Sequence, residues 1–565
     1  MSWGLTAQHN IKTIKTTPDS TADNLKTSKT GDTLPPAGDE PYQVETDKFN
    51  LKLNFDPTES CDIGPASARQ RRRKAYKIRQ DAALFEKDVP LPGHPCNGDK
   101  FLYPNKIGNY SKALPHNKLG EVNINAYQTM IKALTAGNPE IFAAIPLGGV
   151  VKLTNPQSAY AFEMTGPDSH QLSMVPPPTF RSAWNAGEMD ELYWMALTRD
   201  VPFSAYASNP LTQEAAAELT RFCDFRGPKV NGKVTPKTLF RIDVPGALEG
   251  PYISQFLYKD LPFGATAIPQ RYRVPQAGEN FMTGYTEWLN IQNGHLPTAQ
   301  IKYDDMPRYI RNGRDLGEYV HRDFSFQAVL TACSILLSLG QDALASTNPY
   351  LGSPTQAGFV TFGPPHILDF AVKAARVALE AAWFQKFLVH RRLRPEEFGG
   401  DVHNVLTGAV FYPIDRELLD SQAVSKVFGM YGTYLLPQAY PEGCPTHPAY
   451  PAGHAAFIGA GVTMLKAFFK ESFVLPDPVT TSPDGLSLLP YSGPPLTTGG
   501  ELNKLACNIS MGRNFAGIHW RSDGTEGLKL GETVAIRILQ DYRNTYNEDF
   551  IGFSFTKFDG NTIII

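Results

Sequence analysis

The segment Ile367 to Leu393, ILDFAVKAARVALEAAWFQKFLVHRRL, constrains this chain more than any other. Its Ala, Leu and Val residues lie around most of the circumference of a helix, and a helix that is apolar on so many sides has to be largely buried. Its last two turns nevertheless carry Lys386, His390, Arg391 and Arg392, with Arg394 just before Pro395, where the helix must end. On an ideal helix Lys386, His390 and Arg394 fall within roughly 80° of one another and make one cationic edge. Cations answering the helix dipole account for Arg391 and Arg392. They do not account for Lys386, a turn or more back in an apolar helix.

Two further segments carry unusual residues. In Thr446 to Lys470, Pro451, Ala452 and Gly453 precede a helical run, so the Gly453 N–H is free for an anion at a helix start, with His454 beside it. Alone, a histidine at a helix N-terminus is more often a plain hydrogen-bonding residue. In Met511 to Gly524, Arg513 and His519 sit in a Gly-punctuated loop followed by an amphipathic helix, Thr525 to Tyr542, which Asp523 or Ser522 caps. Each is a surface residue by default. Together, though, Lys386, Arg394 and Arg513 as fixed cations, the Gly453 amide and two histidines match a tetrahedral or trigonal-bipyramidal oxyanion. One histidine can bond covalently or coordinatively to the central atom while the other moves protons.

The rest of the chain narrows the classes. Its 565 residues are 42% hydrophobic and 19% charged, with a net charge of -3, which excludes a disordered chain and argues against nucleic acid as the main partner. Charge this far below the usual quarter suggests surface hidden in an oligomer. The 47 glycines and 46 prolines predict much ordered loop. Residues 1–48 read as a flexible arm without a secretory signal. Ser67 to Lys87 reads as a basic helix, solvated or facing another subunit rather than binding phosphates. Phe101 to Leu316 is broken often by Pro and Gly, with short helices such as Thr212 to Cys223 and no long strand series. The run Phe324 to Gly340 is shorter than the roughly 20 residues a bilayer requires and reads as a buried helix. Six scattered cysteines, Cys61, Cys96, Cys223, Cys333, Cys444 and Cys507, neither demand nor exclude disulfides. No HExxH, phosphate loop or GxGxxG after a strand is present. The compartment stays open.

Lys386…Arg394-Pro395, Pro451-Ala452-Gly453-His454 and Gly512-Arg513…His519 resemble the three-part signature shared by vanadium-dependent haloperoxidases and type 2 phosphatidic acid phosphatases. Their surroundings, HRRLRPEEFGG from His390 and HPAYPAGHA from His447, with CDIGPASARQRRRKA from Cys61, look like red-algal and cyanobacterial vanadium bromoperoxidases. The resemblance implies a mainly α fold of two four-helix bundles with long ordered loops. It makes residues 49–565 one large domain with its catalytic half at about 320–545, and implies a homo-oligomer built from dimers, up to a dodecamer.

For the site, the resemblance implies vanadate as cofactor, with His519 as its axial ligand. Lys386, Arg394, Arg513 and the Gly453 amide would neutralise its oxygens. His454 would be the acid–base residue, taking a proton from hydrogen peroxide, and Lys386 would polarise the bound peroxide. Bromide or iodide would then be oxidised to hypohalous acid that halogenates small organic acceptors. His447 matches a histidine characteristic of bromoperoxidases, and so favours bromide and iodide over chloride. Ala452 departs from the family's serine, whose loss weakens an oxyanion contact by about 1.5–3 kcal/mol. The stretch Asn348 to Gln356, aligned with a red-algal calcium site, has no acid, so calcium is not expected. The rival function is a phosphatase using the same site, with His519 as nucleophile and His454 as general acid.

Overall fold

The computed structural model describes residues 68–565, so the expected arm, Cys61 and Ser67 lie outside the described residues. Asp81–Ile565 make one compact unit. The helices used below are α1 (Ala68–Asp88), α2 (Ala183–Thr198), α3 (Gly313–Arg322), α4 (Gln327–Ser338), α5 (Pro364–Phe384), α6 (Pro395–Leu406), α7 (Gly453–Phe468), α8 (Thr498–Phe515) and α9 (Arg521–Tyr542). The only strands among the described residues form three short antiparallel hairpins, pairing Leu261–Phe263 with Thr266–Ile268, Val479–Thr481 with Leu488–Pro490, and Ser554–Thr556 with Thr562–Ile564. The mainly helical expectation therefore holds.

The core is built around α7, whose sixteen residues are all buried. It packs against α5, α8 and α9, giving a four-helix bundle, with α3 on the outer side of α8. Two glycines let α7 and α9 approach backbone to backbone: a Cβ on Gly459 would lie 2.5 Å from the Leu528 carbonyl oxygen. A Cβ on Gly531 would overlap the Ala456 carbonyl oxygen. A second cluster joins α2 to Pro210–Arg221, Arg416–Leu419 and Gln422–Tyr431.

Three local expectations are corrected. Ile367 to Leu393 is not one helix: the α-helix ends at Phe384, and Gln385–His390 form a π-helical turn. Arg391 then takes a left-handed conformation at φ 48°, and Arg394 becomes the N-cap of α6. The single cationic edge therefore dissolves, because Lys386 and Arg394 sit on either side of the left-handed break at Arg391. Arg513 lies in the last turn of α8 rather than in a loop, and only His519 occupies the short connection to α9. That last helix starts at Arg521 with Trp520 as N-cap, and Asp523 caps it from inside the first turn by accepting the Trp520 N–H at 3.1 Å. The helix expected over Phe324 to Gly340 forms as α4, and Thr212 to Cys223 lies mostly within Pro210–Arg221. No described helix is long and apolar enough to cross a membrane. Cys96, Cys223, Cys333, Cys444 and Cys507 are free thiols.

Candidate oxyanion site

The π turn, the N-terminus of α6, the 446–454 segment and the α8–α9 connection converge on one buried spot. Arg394 is fully buried and ties it together. Its Nη1 donates to the His519 Nε2 at 3.0 Å and to the Ile518 carbonyl at 2.8 Å. Its Nη2 donates to the His447 Nδ1 at 3.1 Å and its Nε to the His447 carbonyl at 3.0 Å. Lys386, also fully buried, gives its ammonium to the carbonyls of Pro448 and Ala449, both at 2.8 Å. Arg513 donates from Nη1 to the Val320 carbonyl at 2.5 Å, and its buried Nε has no partner. None of these three cations joins an ion pair among the described residues.

The electrostatics follow from that arrangement. Burial, then the Arg394 charge, holds the Lys386 ammonium well below its ordinary range. Burial likewise lowers Arg394, against partial relief from Cys444 and Asp523. His519 is held well below the imidazole range by burial, then by Arg394, Lys386 and Arg513, so its ring is neutral. Its Nδ1 lies 2.8 Å from the Asp523 Oδ2. A carboxylate can only accept there, so Nδ1 carries the proton and Nε2 presents its lone pair to Arg394. His447 is neutral for the same reasons, burial first and then Lys386 and Arg394.

His454, second residue of α7, places Nε2 3.2 Å from the Asp323 Oδ1. Burial and Arg513 outweigh Asp323 and lower it to about 4. Gly453 opens α7 beside Trp383, whose ring a Cβ there would meet at 3.4 Å. That indole lies 4.7 Å from the His447 ring and 5.9 Å from the Lys386 ammonium, centroid distances in both cases. Ala452 is fully buried, and its amide donates to the Asp523 carbonyl oxygen at 2.9 Å.

Every residue singled out in the three motifs thus lies in or against one site, except His390, Arg391 and Arg392. The ring nitrogens of His390 have no partner, and its ring lies edge-on to Tyr450. Arg391 caps its own turn through the carbonyls of Phe387 and Leu388, as a dipole-answering cation would. Arg392 does something else. It is buried and bonds Glu188, Asn185, Ser522 and Asp523 at 2.8–3.1 Å. Arg392 thereby fixes the carboxylate that orients His519. Asp523 carries a readable signal, an acid four residues after His519 in a helix's first turn. Asp323 and Glu188 carry none, since each comes from a distant stretch of chain.

Comparison with known proteins gives the family of the chain. The family model of the VCPO second helical-bundle domain matches residues 429–548. A vanadium-dependent bromoperoxidase of Ascophyllum nodosum is 36% identical over 526 residues, covering 88% of this chain and 93% of that protein. One from Corallina officinalis is 32% identical over 598 residues, covering 89% of this chain and 100% of that protein. This chain belongs to the vanadium-dependent bromoperoxidases. In three dimensions it superposes on a homohexameric vanadate-dependent bromoperoxidase of Ascophyllum nodosum with a TM-score of 0.85 at 29% identity, over 92% of this chain and 95% of that one. The fold, with its bundle around α7, is the vanadium haloperoxidase fold. As a member of that family the protein is a peroxidase that oxidises bromide.

The residues present suit the oxyanion that the family name implies. Three buried cations without carboxylate partners require negative charge, and a neutral imidazole nitrogen with a fixed lone pair offers a bond to a central atom. The unpartnered Arg513 Nε is a further donor for an anionic oxygen.

Proposed function

We propose that Lys386, Arg394, Arg513 and the Gly453 amide would hold vanadate by its oxygens, with the His519 Nε2 as its protein ligand. Asp523 keeps the proton of His519 on Nδ1, and Arg392 and Glu188 keep Asp523 in place, so the ligand lone pair is preset. Vanadate held there would supply the Lewis acidity for the oxidation of bromide or iodide by hydrogen peroxide. His454 is the proton acceptor for incoming hydrogen peroxide. With its Nε2–H given to Asp323, its Nδ1 carries the lone pair, and it is unprotonated well below neutral pH. Lys386 donates to the oxygen on which charge develops. His447, held by Arg394 and leaning on Trp383, sets a polar aromatic wall that favours the softer halides.

The product is hypohalous acid, and the acceptors are small electron-rich organic molecules. The working form is a homo-oligomer, as for the homohexameric relative, assembled from dimers. No calcium is assigned to 348–356, where the Asn348 side chain is engaged by the Tyr350 amide and the Phe362 carbonyl.

One observation carries this reading: buried cations without carboxylate partners surround a neutral imidazole whose tautomer a carboxylate fixes. Vanadate titration into the metal-free protein, followed by bromination of an activated diketone, tests it. One vanadate per chain and turnover dependent on both bromide and peroxide are expected, and His519→Ala abolishes retention. Phosphate monoester cleavage without bromide turnover overturns the reading.

A further inference from the structure

Away from the oxyanion site, a cleft of about 380 Å³ opens between the 203–207 turn, residues 236–252 and the 480–491 hairpin. Its wall carries Lys237, Arg241 and Arg311 and no acidic residue. Arg241 lies over the Tyr252 ring at 4.8 Å, donates once, to the Ala247 carbonyl at 3.3 Å, and joins no ion pair among the described residues. Burial lowers its guanidinium below the ordinary arginine range, as befits a cation short of counter-charge. Arg311 is ion-paired with the Asp315 carboxylate at 3.4 Å and gives Nη1 to the Asp484 carbonyl at 3.0 Å, while its buried Nε makes no hydrogen bond. Lys237 reaches only Glu249, at 3.6 Å on the surface.

The polar atom that decides the chemistry is the Tyr206 hydroxyl. It is buried and unpartnered in a residue only 3% exposed, and burial keeps it protonated. The cleft's surface is aromatic: Phe203 stacks on Tyr252 at 3.8 Å, and Tyr491 also lines it. Cations, a lone hydroxyl donor and flat apolar walls in a space at the small end of ligand pockets select an anion attached to a ring.

We propose that this cleft binds a small aromatic carboxylate, its carboxyl group held by Arg241, Arg311 and the Tyr206 hydroxyl and its ring against Phe203 and Tyr491. Electron-rich members of this class are acceptors that oxidised bromide halogenates, but the site itself does not depend on the vanadate assignment.

Calorimetric titration of the vanadate-loaded full chain with p-coumarate and with p-coumaryl alcohol tests the proposal. Vanadate fills the other cationic site, so binding that survives loading belongs to the cleft. Saturable binding of the acid is expected, with the alcohol at least about tenfold weaker, equivalent to about 1.4 kcal/mol. Arg241→Gln is expected to weaken the acid about tenfold or more, and Tyr206→Phe, which removes only an unpartnered hydroxyl, several-fold. Equal binding of acid and alcohol overturns the proposal. So does binding abolished by vanadate, or affinity unchanged in Tyr206→Phe, which keeps the test open if Arg241→Gln fails to fold.

Discussion

Two sets of buried cations lie within a few residues of each other and behave in opposite ways. Arg392 and Arg521 are paired with carboxylates: Arg392 has Glu188 and Asp523 on its two terminal nitrogens, and Arg521 grips Glu191 with two nitrogens. Lys386, Arg394 and Arg513 meet carbonyls, imidazoles and aromatic rings but no carboxylate. Burial lowers Arg521 too, but Glu191 outweighs it and raises the group, whereas Lys386 stays depressed. A buried cation with its own carboxylate belongs to the architecture. A buried cation without one marks where an outside anion is to sit.

The contrast is sharpest in stability. Arg521→Met leaves Glu191 buried and uncompensated and is expected to cost about 3–5 kcal/mol, read from denaturant unfolding of the metal-free protein. Lys386→Met removes an ammonium that burial disfavours and leaves no carboxylate uncompensated, so its unfolding midpoint is expected to stay close to wild type. A loss as large as that of Arg521→Met would erase the distinction.

Next in size is protection by the anion. Vanadate at a hundred times its dissociation constant is expected to stabilise the wild type by about 2.7 kcal/mol. That gain should vanish in His519→Ala and shrink in Lys386→Met, both visible as shifts in thermal midpoint. Ala452→Ser is expected to return up to about 1.5–3 kcal/mol of vanadate affinity by adding a hydroxyl donor at the start of α7. An unchanged dissociation constant would mean that the remaining donors already satisfy the oxygens.

The smallest effect is a titration. His321 lies between Glu318 at 3.0 Å and Glu442 at 2.6 Å and stacks on Tyr440. Burial opposes its charge, but the two carboxylates prevail and raise it above the ordinary 6.5. Its contribution to stability is complete below 6.5 and is lost as pH rises through its folded value. His454, lowered to about 4, runs the other way: its contribution is present above 6.5 and is lost as pH falls towards 4. Proton NMR of the imidazole signals should show these two midpoints on opposite sides of 6.5. Finding both near 6.5 would break the comparison.

Local chemistry was legible in the chain where it depends on residue type and short spacing. Lys386 stood out because an ammonium is misplaced in an apolar helix, and Gly453-His454 because a helix start exposes N–H groups. What failed depended on exact backbone path. The π turn has no distinctive composition, and nothing in its residue types separates it from a straight helix. Glycines near Arg513 suggested a loop, although burial of α8 overrides their propensity. Arg392 looked like a dipole cation because Glu188, its partner 204 residues away, is joined to it only by the fold.

The turn at Gln385–His390 closes its hydrogen bonds one residue later than an α-helix does. The site is therefore written in something like a reading frame, in which the number of residues carries information as strictly as their identity. Adding or removing one residue between Lys386 and Arg394 would swing helical side chains beyond it by about 100°. All three motifs would still read correctly along the chain, while the cations they encode would no longer face the same point.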